Sequence, residues 1–291
     1  MNKLALVGGS EIAKYTVADI MWKHIADVSG VDFSFEIIAL ATEQETSKFY
    51  ESYIGDESFI GFNVALPWKQ QFGKYVAGEE SGNPPSIINT VYKRSHTVHG
   101  LNTDPIGIAR GLSGYSLQGK NVLILGAGGG GQSTAHHLTR ELGATVYMHD
   151  IVDNSAAFAD CKWLRTLAEV QAQKYDLIIN ATPLGKFYFD QPIEAFSSPV
   201  DIVTLKKISH HDTIMQEMNY FPLRTFFLQL GEVLGLRTVS GEQMLVYQAL
   251  ESFRHYFAKE IKSQQAQAVI ERMQKHIQEQ ESAILGYGYQ R

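Results

Sequence analysis

The segment VLILGAGGGGQSTA (residues 122–135) limits the architecture of this chain more than any other. Val122–Leu125 read as a buried strand, and a helix is expected to begin near Gly129 or Gly130 after the glycine turn. Gly126, Gly128 and Gly131 fit G-x-G-x-x-G. In that pattern the first glycine allows the tight turn, the second lets backbone amides approach a pyrophosphate, and the third lets helix and strand pack closely. Unpaired N–H groups and the positive dipole end of the helix then face the phosphates. A plain glycine turn is the alternative. The next strand, TVYMHD, ends at Asp150, nineteen positions beyond Gly131. A carboxylate there accepts hydrogen bonds from adenosine ribose hydroxyls and repels a 2′-phosphate, unless it merely caps its loop. Strand, glycines, helix, strand and acid in this order predict a doubly wound, Rossmann-type unit that prefers NAD to NADP. Gly126, Gly128, Gly129, Gly131 and Asp150 are its candidate cofactor contacts.

The chain has 291 residues, which suits two domains, and its 44% hydrophobic and 19% charged residues suit a water-soluble protein with a real core. A net charge of −6 with no basic tract argues against non-specific nucleic-acid binding. The single cysteine, Cys161, excludes an intrachain disulfide framework and a multi-cysteine metal site. The first apolar stretch, Leu4–Val7, is too short for a signal sequence, and no run approaches the roughly 18 apolar residues that span a bilayer. A cytoplasmic protein without membrane partners is expected.

Before the glycine segment, runs at 4–9, 33–40 and 58–66 read as strands, and runs at 16–28 and 42–53 as helices, the second capped by Thr42. This alternation predicts a mostly parallel sheet covered by helices. EESGNPPS (79–86) is turn-rich, and IINTVYKRSHTVHGLNTD predicts a hairpin leading into a helix. Further strands are expected at 144–150, 175–182 and PVDIVTL (199–205), with chiefly helix from about 216 onward. The expected division is a domain of residues 1–103 completed by helices of 239–291, and a dinucleotide-binding domain of 104–238. Ala266, Ile270, Met273, Ile277 and Ile284 predict a C-terminal helix packed on its own domain, with partner binding as the alternative and a frayed GYGYQR end.

GFNVALPWK (61–69) ends an apolar run on a lysine. Lys69 either begins a surface helix or carries chemistry, since a partly buried ammonium needs a partner. Five segments in order favour the second reading. NVALPWK (63–69), IINTV (87–91), GLNTDPIG (100–107), INATPLG (179–185) and GEQMLVYQALESF (241–253) resemble motifs of the shikimate dehydrogenase family, which includes quinate/shikimate dehydrogenases. The resemblance covers about residues 4–258. It implies an N-terminal α/β domain for a cyclohexene acid, a C-terminal Rossmann domain for the nicotinamide cofactor, and an active site in the cleft between them. It also implies hydride transfer between the nicotinamide and a ring carbon bearing hydroxyl or ketone, matched by proton movement at the oxygen. Lys69 and Asp104 are the implied catalytic dyad. Asn89 and Gln248 are implied to hold the substrate, with Asn63 as a further candidate, and Thr182 joins the cofactor contacts.

Several positions depart from the family pattern. The two serines that hold the substrate carboxylate align with Lys14 and Thr16, and their proline with Val17. Ala65 replaces a threonine, Pro105 a glycine, and Thr204 aligns with a tyrosine that follows a D-x-V strand. An ammonium at Lys14 could pair with a carboxylate in place of the hydroxyls. The expected reaction is reversible interconversion of shikimate or quinate with its 3-dehydro ketone, with NAD preferred and NADP second. The same chemistry on a modified acid and a non-catalytic ligand-binding homologue are the alternatives. The expected partner is a small cyclic hydroxy acid, and a homodimer is left open. His136–His137 and His210–His211 lack convincing metal partners, and no metal is expected.

Overall fold

Leu4, Ala5, Leu6 and Val7 are all buried. Their strand, β1 (Asn2–Gly8), has parallel neighbours on both sides, β2 (Phe33–Ala39) and β3 (Phe59–Val64), so both of its faces point into apolar packing. The computed structural model describes residues 1–14, 16–78, 87–95, 97–157, 160–186 and 196–285. EESGNPPS and GYGYQR lie outside them.

The chain divides into two compact units, Met1–Thr103 with Gln248–Arg272, and Asp104–Tyr247 with Met273–Arg291. In the first, α1 (Ala18–Ser29) and α2 (Glu43–Gly55) connect β1 to β2 and β2 to β3. Thr42 caps α2 by accepting the Glu45 N–H at 3.2 Å, as its sequence position predicts. After α3 (Lys69–Gly73) and β4 (Ala77–Gly78) comes the hairpin β5 (Thr90–Arg94) and β6 (Thr97–Leu101). The six-stranded sheet runs β2-β1-β3-β5-β6-β4. It is parallel through β2, β1 and β3 and antiparallel from β3 through the hairpin, so it is more mixed than the alternation suggests. One face is covered by an edge-to-face aromatic cluster centred on Phe62, with Tyr53, Phe49 and Phe72 at 4.8, 5.0 and 5.2 Å between ring centroids.

The second unit runs α4 (Asp104–Gly111), β7 (Asn121–Leu125), α5 (Gly129–Arg140), β8 (Thr145–His149), β9 (Lys162–Leu164), α6 (Leu167–Val170), β10 (Leu177–Asn180), α7 (Ile202–Ile208), β11 (Ile214–Glu217), α8 (Phe226–Val233) and β12 (Arg237–Val239). Its sheet is wholly parallel, in the order β12-β11-β10-β7-β8-β9. The order turns around between β10 and β7, where open α/β sheets bind ligands beyond the carboxyl ends of their strands.

PVDIVTL is not a strand. Asp201 accepts the Thr204 N–H at 2.6 Å and starts α7, which buries Thr204, Leu205 and Ile208 at helical spacing while Val203 stays exposed. The strand next to β10 is instead β11, whose last residues open the stretch expected to be helical from about 216. Pro222 should have broken that reading, and the helix there begins only at Phe226, after the Thr225 cap.

The chain ends with α9 (Gly241–Phe257), which passes from the second unit to the first at Gln248, and α10 (Ser263–Leu285), which passes back at Met273. Ala266 and Ile270 are buried on the first stretch of α10, and Met273 and Ile277 on the second. Ile277 packs against Phe221 and Leu223. Among the described residues no helix is long and apolar enough to cross a membrane.

Candidate active site

The glycines of the second unit have separable causes. Gly126 has φ +105°, and a Cβ there would lie 2.7–2.8 Å from the backbone of Ala181 and Thr182. A Cβ at Gly131 would lie 2.1 Å from the Gly126 carbonyl oxygen. The chain's own packing requires both. Gly128, the N-cap of α5, has φ −72° and ψ −178°, which any residue can adopt, and a Cβ there would meet nothing within 4 Å. What Gly128 leaves open is approach from outside the protein, as a pyrophosphate on the α5 N-terminus requires. Gly129 is the first residue of α5.

Asp150 follows β8 and is half-buried. Its Oδ2 accepts the Ala127 N–H of the glycine turn at 2.6 Å and its Oδ1 the Val152 N–H at 3.1 Å. The carboxylate therefore caps the turn from beside it. Thr182, beyond β10, donates its hydroxyl to Asn180 Oδ1 at 2.7 Å and accepts the Leu184 N–H at 3.2 Å.

Asn180 and Glu217 are register partners at the ends of β10 and β11. Glu217 is fully buried. Its Oε1 accepts the Met218 N–H, the Asn219 N–H and the Asn219 side-chain amide, each at 2.9 Å. Its Oε2 accepts the Asn180 amide at 2.9 Å and the Thr225 hydroxyl at 2.8 Å. Burial pushes this carboxyl up to about 7, against the pull of the five donors. Reading the segment as helix hid this cluster; Pro222 downstream of Glu217 was the available signal. The same correction removes Thr204 as the aligned counterpart of a post-strand tyrosine, because Thr204 lies within α7. The tyrosine that follows β11 is Tyr220.

In the first unit, four of the motif-bearing segments meet in one buried network. The Asn63 amide donates to the Asn89 carbonyl (3.2 Å), Thr90 Oγ1 (3.2 Å) and Ser252 Oγ (3.1 Å). Asn89 Oδ1 accepts the Thr103 N–H (2.8 Å) and hydroxyl (3.1 Å) and the Thr90 hydroxyl (2.9 Å). Gln248 Oε1 accepts from the Asn89 amide and the Thr103 hydroxyl, both at 3.2 Å. Asn63, Asn89 and Gln248 are substrate candidates from the sequence. Thr90, Thr103 and Ser252 join them in the network without having been singled out, although all three lie inside family-motif segments.

Lys69 is half-buried and opens α3. Its carbonyl accepts the Ile88 N–H at 3.1 Å, beside Asn89. Asp104 is buried at the start of α4, one residue after Thr103. Pro105 suits that first turn, which needs no N–H. Lys14 is exposed on a single 3₁₀ turn and ion-paired with Glu11. Thr16 Oγ1 accepts the Ala18 N–H at 3.2 Å and serves the start of α1, and Ala65 is half-buried. Among the described residues, the ligand atoms of His210, His211 and Asp212 lie within 4.8 Å of one another. His210 already uses both nitrogens: Nδ1 accepts the Asp212 N–H at 3.3 Å, and Nε2 lies 3.5 Å from Asp176.

No protein-family profile matches the chain. It is 30% identical over 273 residues to a protein of Caldicellulosiruptor saccharolyticus named shikimate dehydrogenase (NADP(+)), across 88% of this chain and 92% of that one. Its fold matches a shikimate 5-dehydrogenase of Thermus thermophilus solved with NADP(H) and shikimate, with TM-score 0.78, 24% identity and coverage of 94% and 100%. It also matches a shikimate 5-dehydrogenase of Listeria monocytogenes solved with shikimate and NAD, with TM-score 0.77, 20% identity and coverage of 93% and 96%. Fold and relatives together define an NAD(P)-dependent oxidoreductase. Within that class, the chain belongs to the shikimate dehydrogenase family.

Proposed function

We propose that this chain interconverts shikimate, or the related quinate, with its 3-dehydro ketone, and that NAD is its preferred cofactor. The observation that carries the substrate reading is the buried network of the first unit. It joins Asn89 to Gln248, 159 positions away, and both to Thr103, next to Asp104. Three family motifs thus converge on one polar cluster.

The nicotinamide, when bound, supplies or accepts the hydride at the ring carbon. The chain handles the proton. In the reducing direction the Lys69 ammonium donates a proton to the oxygen that the hydride turns into an alkoxide, and in oxidation the amine takes it back. Asp104 orients that ammonium and keeps its charge. Asn63, Asn89 and Gln248 hold ring hydroxyls. Gly128 and the α5 N-terminus take the pyrophosphate, Asp150 the ribose, and Thr182 lines the cofactor side.

The cofactor reading departs from the NADP(+) in the relatives' names. Asp150 would face a 2′-phosphate with a carboxylate, and residues 149–155 contain no lysine or arginine to accept one. The two solved relatives, one with NADP(H) and one with NAD, indicate that this fold serves either cofactor.

Reduced-nicotinamide absorbance, read over shikimate, quinate and amino-substituted analogues with each cofactor, tests both parts. NAD should give the higher kcat/KM, and Lys69→Ala should lower kcat by on the order of 10²-fold while NAD affinity holds. Equal efficiency with NADP would remove the cofactor reading alone. Near-normal turnover by Lys69→Ala would return that residue to a surface helix. The exposure of Lys14 and its pairing with Glu11 favour a second reading, the same chemistry on a modified acid, which the substrate panel separates. Absence of turnover on every acid would favour a binding protein.

A further inference from the structure

The loops after β10 and β11 are organised by one side chain. We propose that Glu217 is a positioning residue for cofactor binding: through Asn180 and Asn219 it fixes the loop that carries Thr182 against the glycine turn. This rests on the nicotinamide reading above.

All five groups on the Glu217 carboxylate are donors. Asn180 passes that order on, because its Oδ1 accepts both the Thr182 N–H at 3.0 Å and the Thr182 hydroxyl at 2.7 Å. The Asn219 side-chain amide, held by Glu217, also donates to the Thr182 carbonyl at 3.0 Å and the Leu184 carbonyl at 3.3 Å. The loop so held is the one Gly126 approaches so closely that a Cβ would strike Ala181 and Thr182. Any shift of residues 181–184 therefore moves one wall of the glycine turn.

A buried carboxylate is a costly way to close a loop if stability alone is at stake. Burial raises the Glu217 pKa despite five donors, so the fold does not fully compensate the charge. Uncompensated burial of this kind concentrates at functional sites. An amide at this position would turn its NH₂ either toward the Met218 and Asn219 N–H groups or toward the Asn180 amide, each of which donates here.

The test uses the full-length protein, NADH fluorescence for binding, and thermal melting. Asn219→Ala sits on a half-buried loop and should fold. It should weaken NADH binding about tenfold, the scale of a lost hydrogen bond to a charged group, and change KM for shikimate less than about twofold. Thr225→Val should do the same, and Thr225→Ser, which keeps the hydroxyl, should restore wild-type binding. Thr225 also caps α8, and loss of the cap alone would lower the melting temperature without touching NADH affinity. Unchanged NADH affinity in Asn219→Ala and Thr225→Val, whatever their melting temperatures, would overturn the proposal. Weakened binding in these variants while the wild type turns over no acid would support the positioning role and defeat the substrate reading instead. A wild type that binds no NADH would defeat both.

Discussion

In the first unit, the amides and hydroxyls bonded to Asn89 in the network described above are neutral side chains that lock one another in place. In the second, shape comes from glycine backbone, and polarity converges on the single carboxylate of Glu217. Asn63, Asn89, Thr90, Thr103, Gln248 and Ser252 can each donate and accept, so their bonds form a web with internal alternatives. Glu217 when ionised can only accept, so each of its five bonds runs one way, from a donor to the carboxylate. A neutral web suits a surface that must present amides and hydroxyls to a polyol acid. A rigid turn with an ionic anchor suits a long dinucleotide that must be laid along backbone.

The contrast should break hardest at the glycines. Gly131→Ala drives a Cβ into the Gly126 carbonyl and should leave the protein unfolded or lacking NADH binding, as circular dichroism and fluorescence would reveal. Gly128→Ala meets no protein atom, so it should keep the wild-type melting temperature while weakening NADH binding. Equal stability losses in the two variants would erase the distinction between packing and ligand glycines.

Next in size is the centre of the neutral web. Asn89→Ala leaves the buried Thr103 N–H without its acceptor and should cost about 3 kcal/mol in urea unfolding, together with most of the turnover. That loss should be the same at pH 5 and pH 8, because the amides and hydroxyls that make the bonds named above do not titrate in that range.

The Glu217 cluster should respond to pH instead. A carboxyl whose value rises from 4.5 in the unfolded chain to about 7 in the fold binds its proton more readily when folded. Its contribution to stability is therefore present at low pH and falls as pH rises through 4.5 to about 7, levelling off above. Glu217→Gln should remove that slope from a pH series of denaturation curves, and a slope that survives would assign it to another group.

The smallest effect concerns Lys14. Its exposed pair with Glu11 should contribute nothing that a denaturation curve resolves, so Lys14→Ala should leave stability unchanged. A rise in KM for the acid without a fall in kcat would give Lys14 a substrate role, and no kinetic change would leave it a surface residue.

Much of the local structure in both units was legible because a few neighbouring residues set it. A glycine at φ +105°, an acid at the end of the next strand and a threonine three residues before Glu45 are each dictated by a few neighbouring bonds. PVDIVTL forms a helix, and the start of the stretch from about 216 a strand, for the opposite reason. Both are short apolar runs that satisfy either period, and only the Asp201 cap and Pro222 separated helix from strand. That error hid Glu217 and misassigned a tyrosine to Thr204.

The sequence by itself determined the glycine turn, the caps, the αβ alternation and the order of the family motifs, because these depend on φ, hydrogen-bond reach and spacing within a turn or two. Only the tertiary structure decided that Asn89 would meet Gln248 and that five donors would surround Glu217. Those contacts join chain segments whose separation no local preference encodes. They form because burial leaves each polar group no solvent, so it must find its partner wherever the packed strands and helices bring one.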